Sequence, residues 1–133
     1  MSRETEPREW LRVAEVDHRA AKHLLDNADF EACAFHCQQA VEKLLKAIIV
    51  KQTNQRPPYV HDLLTLLRKV GGLTVDEEIA QAIGLVDGYY AGSRYPLDAF
   101  DPDIFTKPLA ESAVRQMDEV FQWFLTRITF DDT

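Results

Sequence analysis

The most apolar part of the 133-residue chain lies at residues 30–52, which read FEACAFHCQQAVEKLLKAIIVKQ. Its apolar side chains recur at steps of four and three, the spacing that lines one face of an α-helix packed against other helices. They are Phe30, Ala34, Cys37, Val41, Leu44 and Ile48. A helix of this length spans roughly 34 Å. We therefore predict that residues 30–52 form the central helix of the core.

Helical patterns flank this segment on both sides. They cover residues 7–27, about 59–70, a fourth helix that opens at a capping box formed by Thr74 and Glu77, and about 106–129. No stretch of useful length alternates between apolar and polar residues as a half-buried strand does. The predicted fold class is all-α, an up-and-down antiparallel four-helix bundle with an additional short helix. A single domain fills residues 1–133, with its core at about 7–129.

The composition is that of a globular protein without a membrane span. Hydrophobic residues make up 46% and charged residues 28%, and the formal net charge is −7. No apolar run approaches the roughly 18 residues that suggest a transmembrane helix. The start of the chain is polar and mixed in charge, unlike a signal peptide, so we expect a cytoplasmic location. An acidic chain binds nucleic acid only through a local basic patch.

Two cysteines, Cys33 and Cys37, lie one helical turn apart on the predicted central helix. Side chains at this spacing share a face but do not normally reach disulfide geometry. Together with His36 they would supply three ligands, one short of the closed four-ligand set of a structural zinc site. We therefore expect buried, reduced thiols and no metal. The sequence also lacks a glycine-rich phosphate loop and a nucleophile elbow, so no cofactor is predicted.

A polar stripe follows the same helix at steps of three, four and three. It consists of His36, Gln39, Lys43 and Lys46, and Glu42 lies one turn before Lys46, within pairing distance on a helix. One interpretation is the solvated edge of an amphipathic helix. The other is the polar wall of a groove that binds a phosphate-bearing ligand, because imidazole, amide and ammonium groups all donate hydrogen bonds to phosphate oxygens.

Three residues outside the stripe complete the predicted ligand site. His61 lies at the predicted start of the third helix, where a structural role and a catalytic role are both open. Arg94 is the only base in residues 73–101, which hold six acids, and Tyr90 lies one helical turn before it. Arg94 either anchors an ion pair or faces a phosphate. We predict that His61, Tyr90 and Arg94 join the polar stripe in one phosphate site, with His61 and Arg94 as the catalytic candidates.

In an alternative interpretation, these residues bind no ligand. Glu42 and Asp62 would neutralise the bases, and the same residues would then form a structural ion-pair network. The sequence alone leaves both interpretations open.

Three elements of the chain resemble the HEPN domain family. They are Phe35-His36-Cys37-Gln38-Gln39-Ala40-Val41-Glu42-Lys43-Leu44-Leu45-Lys46-Ala47 in the second helix, His61-Asp62-Leu63 followed by Leu66-Leu67, and Arg94-Tyr95-Pro96 ahead of the last helix. The resemblance covers about residues 10–129. It implies an up-and-down helical bundle that commonly forms homodimers.

The resemblance also implies a biological setting. Many HEPN proteins pair with a minimal nucleotidyltransferase, and some pairs are toxin–antitoxin systems in which the HEPN protein is a metal-independent ribonuclease. Those nucleases carry an Arg followed a few positions later by a His. Here no His follows Arg94, and Arg56 and His61 have that spacing only in the proline-rich connector, a match we interpret as coincidence.

Together, the polar stripe and the resemblance imply a HEPN protein that binds nucleotide or RNA phosphate in a polar groove. The resemblance further implies that its partner is a minimal nucleotidyltransferase in a toxin–antitoxin-like system. Two alternatives stay open. One is a metal-independent ribonuclease that uses His61 with Arg94 or Arg56. The other is a non-catalytic interaction module whose dimer surface is its function. The sequence therefore leaves undecided whether the chain is an enzyme.

Overall fold

A computed structural model describes residues 3–91 and 104–130, without the side chains of residues 90 and 91. The helices are α1 (Pro7–Asp26), α2 (Phe30–Thr53), α3 (Leu63–Lys69), α4 (Glu77–Ala91) and α5 (Lys107–Leu125), and a 3₁₀ turn at Arg3–Thr5 precedes α1. These described ranges contain no strand, so the all-α prediction is confirmed. Within the same ranges, no helix is long and apolar enough to span a membrane.

Helix α2 is the central element, as its sequence predicts. It packs against all four other helices, and the seam from Ala34 to Ile48 is buried. The carboxylate of Asp29 accepts a hydrogen bond from the amide of Ala32 at 3.4 Å and so caps the helix start. Helix α1 reverses into α2 through Ala28, whose φ is 59°.

Helix α3 is shorter than the predicted 59–70 because Asp62 fixes its start. The Asp62 carboxylate accepts hydrogen bonds from the amide of Leu64 at 3.3 Å and from the hydroxyl of Thr65 at 2.6 Å. These bonds satisfy groups in the first turn that have no partner within the helix. Residues 59–61 therefore stay outside the helix, and Leu64 in its first turn is exposed.

Helix α4 begins at Glu77, so the predicted capping box at Thr74 is wrong. The backbone carbonyl of Asp76 accepts from the amides of Ile79 and Ala80, at 3.0 and 3.1 Å, and Asp76 is therefore the residue that precedes the first turn. Its carboxylate instead accepts from the indole Nε1 of Trp123 at 3.0 Å. A tertiary contact with α5 has replaced the local capping pattern.

Helix α5 begins after Thr106, whose side chain caps it, and ends at Leu125 rather than near residue 129. The hydroxyl of Thr126 donates to the carbonyls of Gln122 and Trp123, at 2.9 and 3.1 Å. Carbonyls of a last helical turn need such partners, and Thr126 supplies them at the point where the helix stops.

The apolar faces of α2 and α5 are used inside this chain. Two large aromatic side chains of α5, Phe121 and Trp123, are buried, whereas Trp10 of α1 is half-buried. A long-range hydrogen bond joins the two ends of the described chain, since Arg8 Nε donates to the carbonyl of Phe130 at 2.6 Å. Phe121 and Trp123 therefore belong mainly to the core of the single chain.

Candidate functional site

Two buried charged side chains lie one turn apart on α2. The Nζ of Lys46 donates to Glu42 Oε2 at 3.1 Å, and the two side chains are only 7% and 5% exposed. The Nδ1 of His61 lies 3.2 Å from the same carboxylate oxygen. Glu42 therefore holds both bases in fixed positions. Removing such charges from water is costly, and a buried ion pair is weak evidence for a purely stabilising role.

Gln38 extends this arrangement to two further parts of the fold. Its side-chain amide donates to the backbone carbonyl of His61 at 3.0 Å, to Asp87 Oδ1 at 3.4 Å and to Glu42 Oε1 at 3.5 Å. Asp87 belongs to α4, so one amide joins α2, the residues before α3, and α4. We call Gln38, Glu42, Lys46, His61 and Asp87 the Glu42 network.

The sequence analysis missed Gln38 and Asp87. A polar residue occurs at every fourth position of the apolar helix, at Gln38, Glu42 and Lys46. Side chains at this spacing lie on one face of a helix, so the pattern could have indicated that Gln38 lies beside Glu42. Asp87 had no comparable signal, because its position depends on how α4 packs against α2. Gln39, a predicted site residue, reaches the network indirectly by donating to Gln38 Oε1 at 2.8 Å.

A second group of charges lies between α1 and α2. Asp17, a buried residue of α1, accepts from His36 Nδ1 at 2.8 Å and from Lys43 Nζ at 2.6 Å. We call Asp17, His36 and Lys43 the Asp17 cluster. The sequence analysis missed Asp17, although Ala14, Asp17 and Ala21 follow the helical period of the buried face. The cluster ties α1 to α2 through a carboxylate that the protein shields from water.

The predicted polar stripe is thus divided between two carboxylates. His36 and Lys43 contact Asp17, whereas Lys46 and His61 contact Glu42, and no hydrogen bond or ion pair within residues 3–91 joins the two groups. Arg94 lies outside the described residues, and the side chain of Tyr90 is not described. The bases of the stripe are paired with acids, as the ion-pair interpretation requires, but Asp62 caps α3 instead of pairing with any of them.

His61 is the most exposed member of the Glu42 network, with its side chain 74% exposed. Its Nδ1 is directed at Glu42, and its Nε2 makes no hydrogen bond to any described residue. The neighbouring Asp62 carboxylate has its pKa lowered, chiefly by the hydrogen bond from Thr65, and therefore stays charged next to this imidazole. A carboxylate on one ring nitrogen fixes the ring orientation and leaves the other nitrogen available to a ligand.

A small pocket adjoins the Glu42 network on the side of the connector between α2 and α3. Its lining includes Trp10, Lys46, Arg56 and Tyr59, together with Glu4 from the N-terminal turn. The Lys46 ammonium lies 5.8 Å from the centre of the Trp10 ring, within the range of a cation–π contact. We call this site the connector pocket. It places two cationic and two aromatic side chains around one opening.

Cys33 and Cys37 are both buried and unlinked, as predicted for their side of α2. The hydrogen bond to Cys33, together with burial, raises the pKa of the Cys37 thiol far above its ordinary value. Within the described ranges, no group of three or more His, Cys, Asp and Glu side chains is arranged to hold a metal ion.

Comparison with known proteins agrees with this bundle. The HEPN domain model matches residues 7–128, which is nearly the whole chain. This chain therefore belongs to the HEPN domain family, and the predicted resemblance is confirmed. No curated protein matches the sequence.

Two crystal structures are similar to this fold. The structure of TT1696 from Thermus thermophilus shares 26% sequence identity and has a TM-score of 0.82, and the match covers 93% of this chain and 99% of that one. The structure of ST0689, an archaeal HEPN homologue, shares 22% identity with a TM-score of 0.74, over 97% of this chain and 100% of that one. At 22% identity, the likeness to ST0689 concerns the fold alone.

Proposed function

We propose that this HEPN protein binds the phosphate groups of a nucleotide or of RNA at the polar surface around His61. We also propose that it forms a homodimer and that its partner is a minimal nucleotidyltransferase, in a toxin–antitoxin-like system. The observation that carries the binding proposal is the Glu42 network. Its buried carboxylate holds Lys46 and His61 on adjacent elements, and the His61 side chain is exposed to solvent. Two bases held in this way lose little conformational entropy when a phosphate binds.

Arg94 supplies the permanent positive charge in this proposal. Support comes from Asp87, whose carboxylate lies 3.4 Å from Gln38 Nε2 one helical turn before the end of α4. The final turn of α4 is therefore close to the network, and Arg94 follows that helix end by three residues. Tyr90, in the final turn itself, is proposed as a neighbouring hydrogen-bond or stacking partner.

His36, Gln39 and Lys43 form the outer part of the proposed surface. Each is half-buried, so part of each side chain is accessible to solvent along α2. His36 and Lys43 already bind Asp17, and we therefore expect them to contribute less to phosphate affinity than Arg94 and His61 do.

The binding proposal is tested by titrating a labelled short RNA and ATP into the wild-type, Arg94→Ala and His61→Gln proteins at two salt concentrations. We expect Arg94→Ala to weaken binding by about 1–3 kcal/mol, and affinity to fall as salt rises because bound counterions are released. Arg115→Ala is the matched control, since Arg115 is an exposed residue of α5. Equal affinities for all four proteins, or no binding by any, would end the proposal.

A second candidate function is a metal-independent ribonuclease. The specific observation that favours it is the contact between Glu42 and the Nδ1 of His61, because a carboxylate in this position orients an imidazole for general acid or base work at Nε2. The exposed guanidinium of Arg56, in the same connector, would then stabilise phosphate charge. The test is RNA cleavage in the presence of EDTA by wild type, His61→Asn and Arg56→Ala. Cleavage that both substitutions abolish supports this candidate, and an inactive wild type contradicts it.

Pairing with a nucleotidyltransferase is supported by the HEPN resemblance. Co-expression with the product of the neighbouring gene, followed by purification through a tag on one protein, tests the pairing. Co-purification of a nucleotidyltransferase in fixed stoichiometry is the expected result. A neighbour of another class, or no co-purification, would leave the non-catalytic dimerising module as the favoured function if RNA and nucleotide binding are also absent.

A further inference from the structure

The N-terminal turn closes one side of the connector pocket. Glu4 Oε2 lies 2.6 Å from Arg56 Nη2, and the backbone carbonyl of Glu4 accepts a hydrogen bond from Trp10 Nε1 at 2.9 Å. Glu4 also lines the pocket together with Lys46. One residue of the turn therefore directs a carboxylate into a pocket whose other charged members, Lys46 and Arg56, are basic.

The remaining wall of the connector pocket is aromatic. Tyr59 is 80% exposed, and its hydroxyl is 3.5 Å from Arg56 Nη1. Trp10 is half-buried and carries the Lys46 ammonium over its ring. A tyrosine this exposed gains nothing from core packing. Exposed aromatic side chains beside a guanidinium are instead the arrangement that stacks nucleobases while an adjacent cation binds phosphate.

We infer that the connector pocket is a subsite for a nucleoside phosphate, and that Glu4 occupies its anion position in the free protein as a tethered competitor. The inference rests on the proposed function and adds to it the position of one phosphate, the aromatic wall for its base, and a regulatory contact. The phosphate displaces the Glu4 carboxylate from Arg56, and the base stacks on Tyr59.

Two physical arguments support displacement. The Arg56–Glu4 pair is solvent-exposed, with side chains 57% and 42% exposed, and exposed ion pairs are weak. A phosphate group offers more negative charge and more acceptor oxygens than a carboxylate does, so it competes well for a guanidinium. The pocket volume of about 30 Å³ accommodates roughly one or two water molecules. The N-terminal turn must therefore swing away before a nucleotide enters.

The turn weakens binding by mass action. Ligand affinity falls in proportion to the fraction of molecules in which the pocket is open. Removing the Glu4 charge increases that fraction. Because an exposed ion pair is weak, we expect Glu4→Gln to tighten binding about threefold to fivefold.

The experiment measures the affinities of the full-length wild-type, Glu4→Gln and Glu6→Gln proteins for ATP, pyrophosphate, adenosine and a short RNA. Glu6→Gln is the matched control, because it removes the same charge from an exposed residue two positions away that does not line the pocket. Each variant is also made in an Arg56→Ala background. We expect Glu4→Gln alone to tighten binding of the phosphate-bearing ligands, and the gain to vanish without Arg56. The ATP and RNA arms distinguish a free nucleotide from a polymer.

The outcomes separate this inference from the proposed function. If Glu4→Gln and wild type bind equally while Arg94→Ala still weakens binding, the connector pocket is not a subsite and the proposed function stands. A gain that persists in the Arg56→Ala background, or that Glu6→Gln reproduces, also overturns the inference, because the effect is then one of net charge. The absence of binding by every protein overturns both.

Discussion

Glu42 and Lys46 form an ion pair at 3.1 Å inside the protein, one turn apart on the most apolar helix. Replacing Glu42 by Ala leaves the Lys46 ammonium buried without a charged partner, and we expect a loss of about 3–5 kcal/mol in the free energy of unfolding. The double substitution Glu42→Leu with Lys46→Met should recover most of it, since apolar residues of similar volume often replace a buried pair without cost. Urea denaturation measures both. If the Glu42→Ala protein were as stable as wild type, the assignment of a buried pair would be contradicted.

Asp17 is the corresponding carboxylate between α1 and α2. Asp17→Asn should lower the free energy of unfolding by about 1–3 kcal/mol, because the buried site then holds two bases without their charged acceptor. Asp118→Asn is the control. Asp118 also contacts a His and a Lys, His18 and Lys22, but its side chain is 42% exposed, and exposed pairs contribute about 0–1 kcal/mol. Equal losses for the two variants would show that burial of Asp17 does not matter.

Cys37 should be unreactive in the folded protein. Its raised pKa keeps the thiol protonated, and the thiolate is the reactive form. We expect modification by a thiol reagent only as the protein unfolds, and a loss of about 1–3 kcal/mol in unfolding free energy for Cys37→Ser, whose hydroxyl would be buried among apolar neighbours. Fast modification of the native protein, or stoichiometric zinc in a metal analysis, would overturn the assignment.

The proposed homodimer needs apolar side chains that are exposed to solvent in the single chain. Leu125, at the end of α5, is 39% exposed beside a surface groove between α1 and α5 that His18 and Phe121 also line. We expect light scattering to give a dimer mass for wild type, and Leu125→Arg to give a monomer.

Leu64→Arg is the matched control for this dimer test, since Leu64 is 37% exposed on α3. This variant should remain dimeric. A wild-type mass equal to one chain at every concentration would contradict the dimer itself.

Glu9 provides a pH test of the first helical turn. Hydrogen bonds from Arg12 and Arg3 lower the pKa of Glu9 from 4.5 to about 2. A lowered carboxyl pKa stabilises the folded state above the unfolded value, so this contribution is complete above about pH 4.5 and is lost as the pH falls towards 2. An NMR titration should show Glu9 ionised at pH 3.5, and Arg12→Ala should move its pKa back up. A midpoint near 4.5 in wild type would refute the contact.

The long helices could be predicted because their apolar period is decided within each segment. The seam from Ala34 to Ile48, for example, depends on neighbours within one turn or two. The start of α4 could not be predicted in the same way. Asp76 accepts a hydrogen bond from Trp123, which is 47 positions away in the sequence. A contact over that separation produces no pattern in the residues around Asp76.

The same distinction between local and long-range contacts applies to the candidate site. Glu42 and Lys46 are one turn apart, so their pairing was predictable. The contact of Glu42 with His61 and those of Asp17 with His36 and Lys43 arise from packing between elements. The sequence identified the bases, but it could not assign each base to its acid. That assignment separates one predicted stripe into the Glu42 network and the Asp17 cluster.

The hydrogen bond from Arg8 to the carbonyl of Phe130 joins residues 122 positions apart in the chain. Closing so long a loop has an entropic cost, and intervening packing must offset that cost before the bond is stable. We therefore expect the bond to form only after α1 and α5 have packed against α2. Because this bond holds the start of α1 to the residues after α5, we expect a substitution that removes the Arg8 side chain to increase fraying at both places.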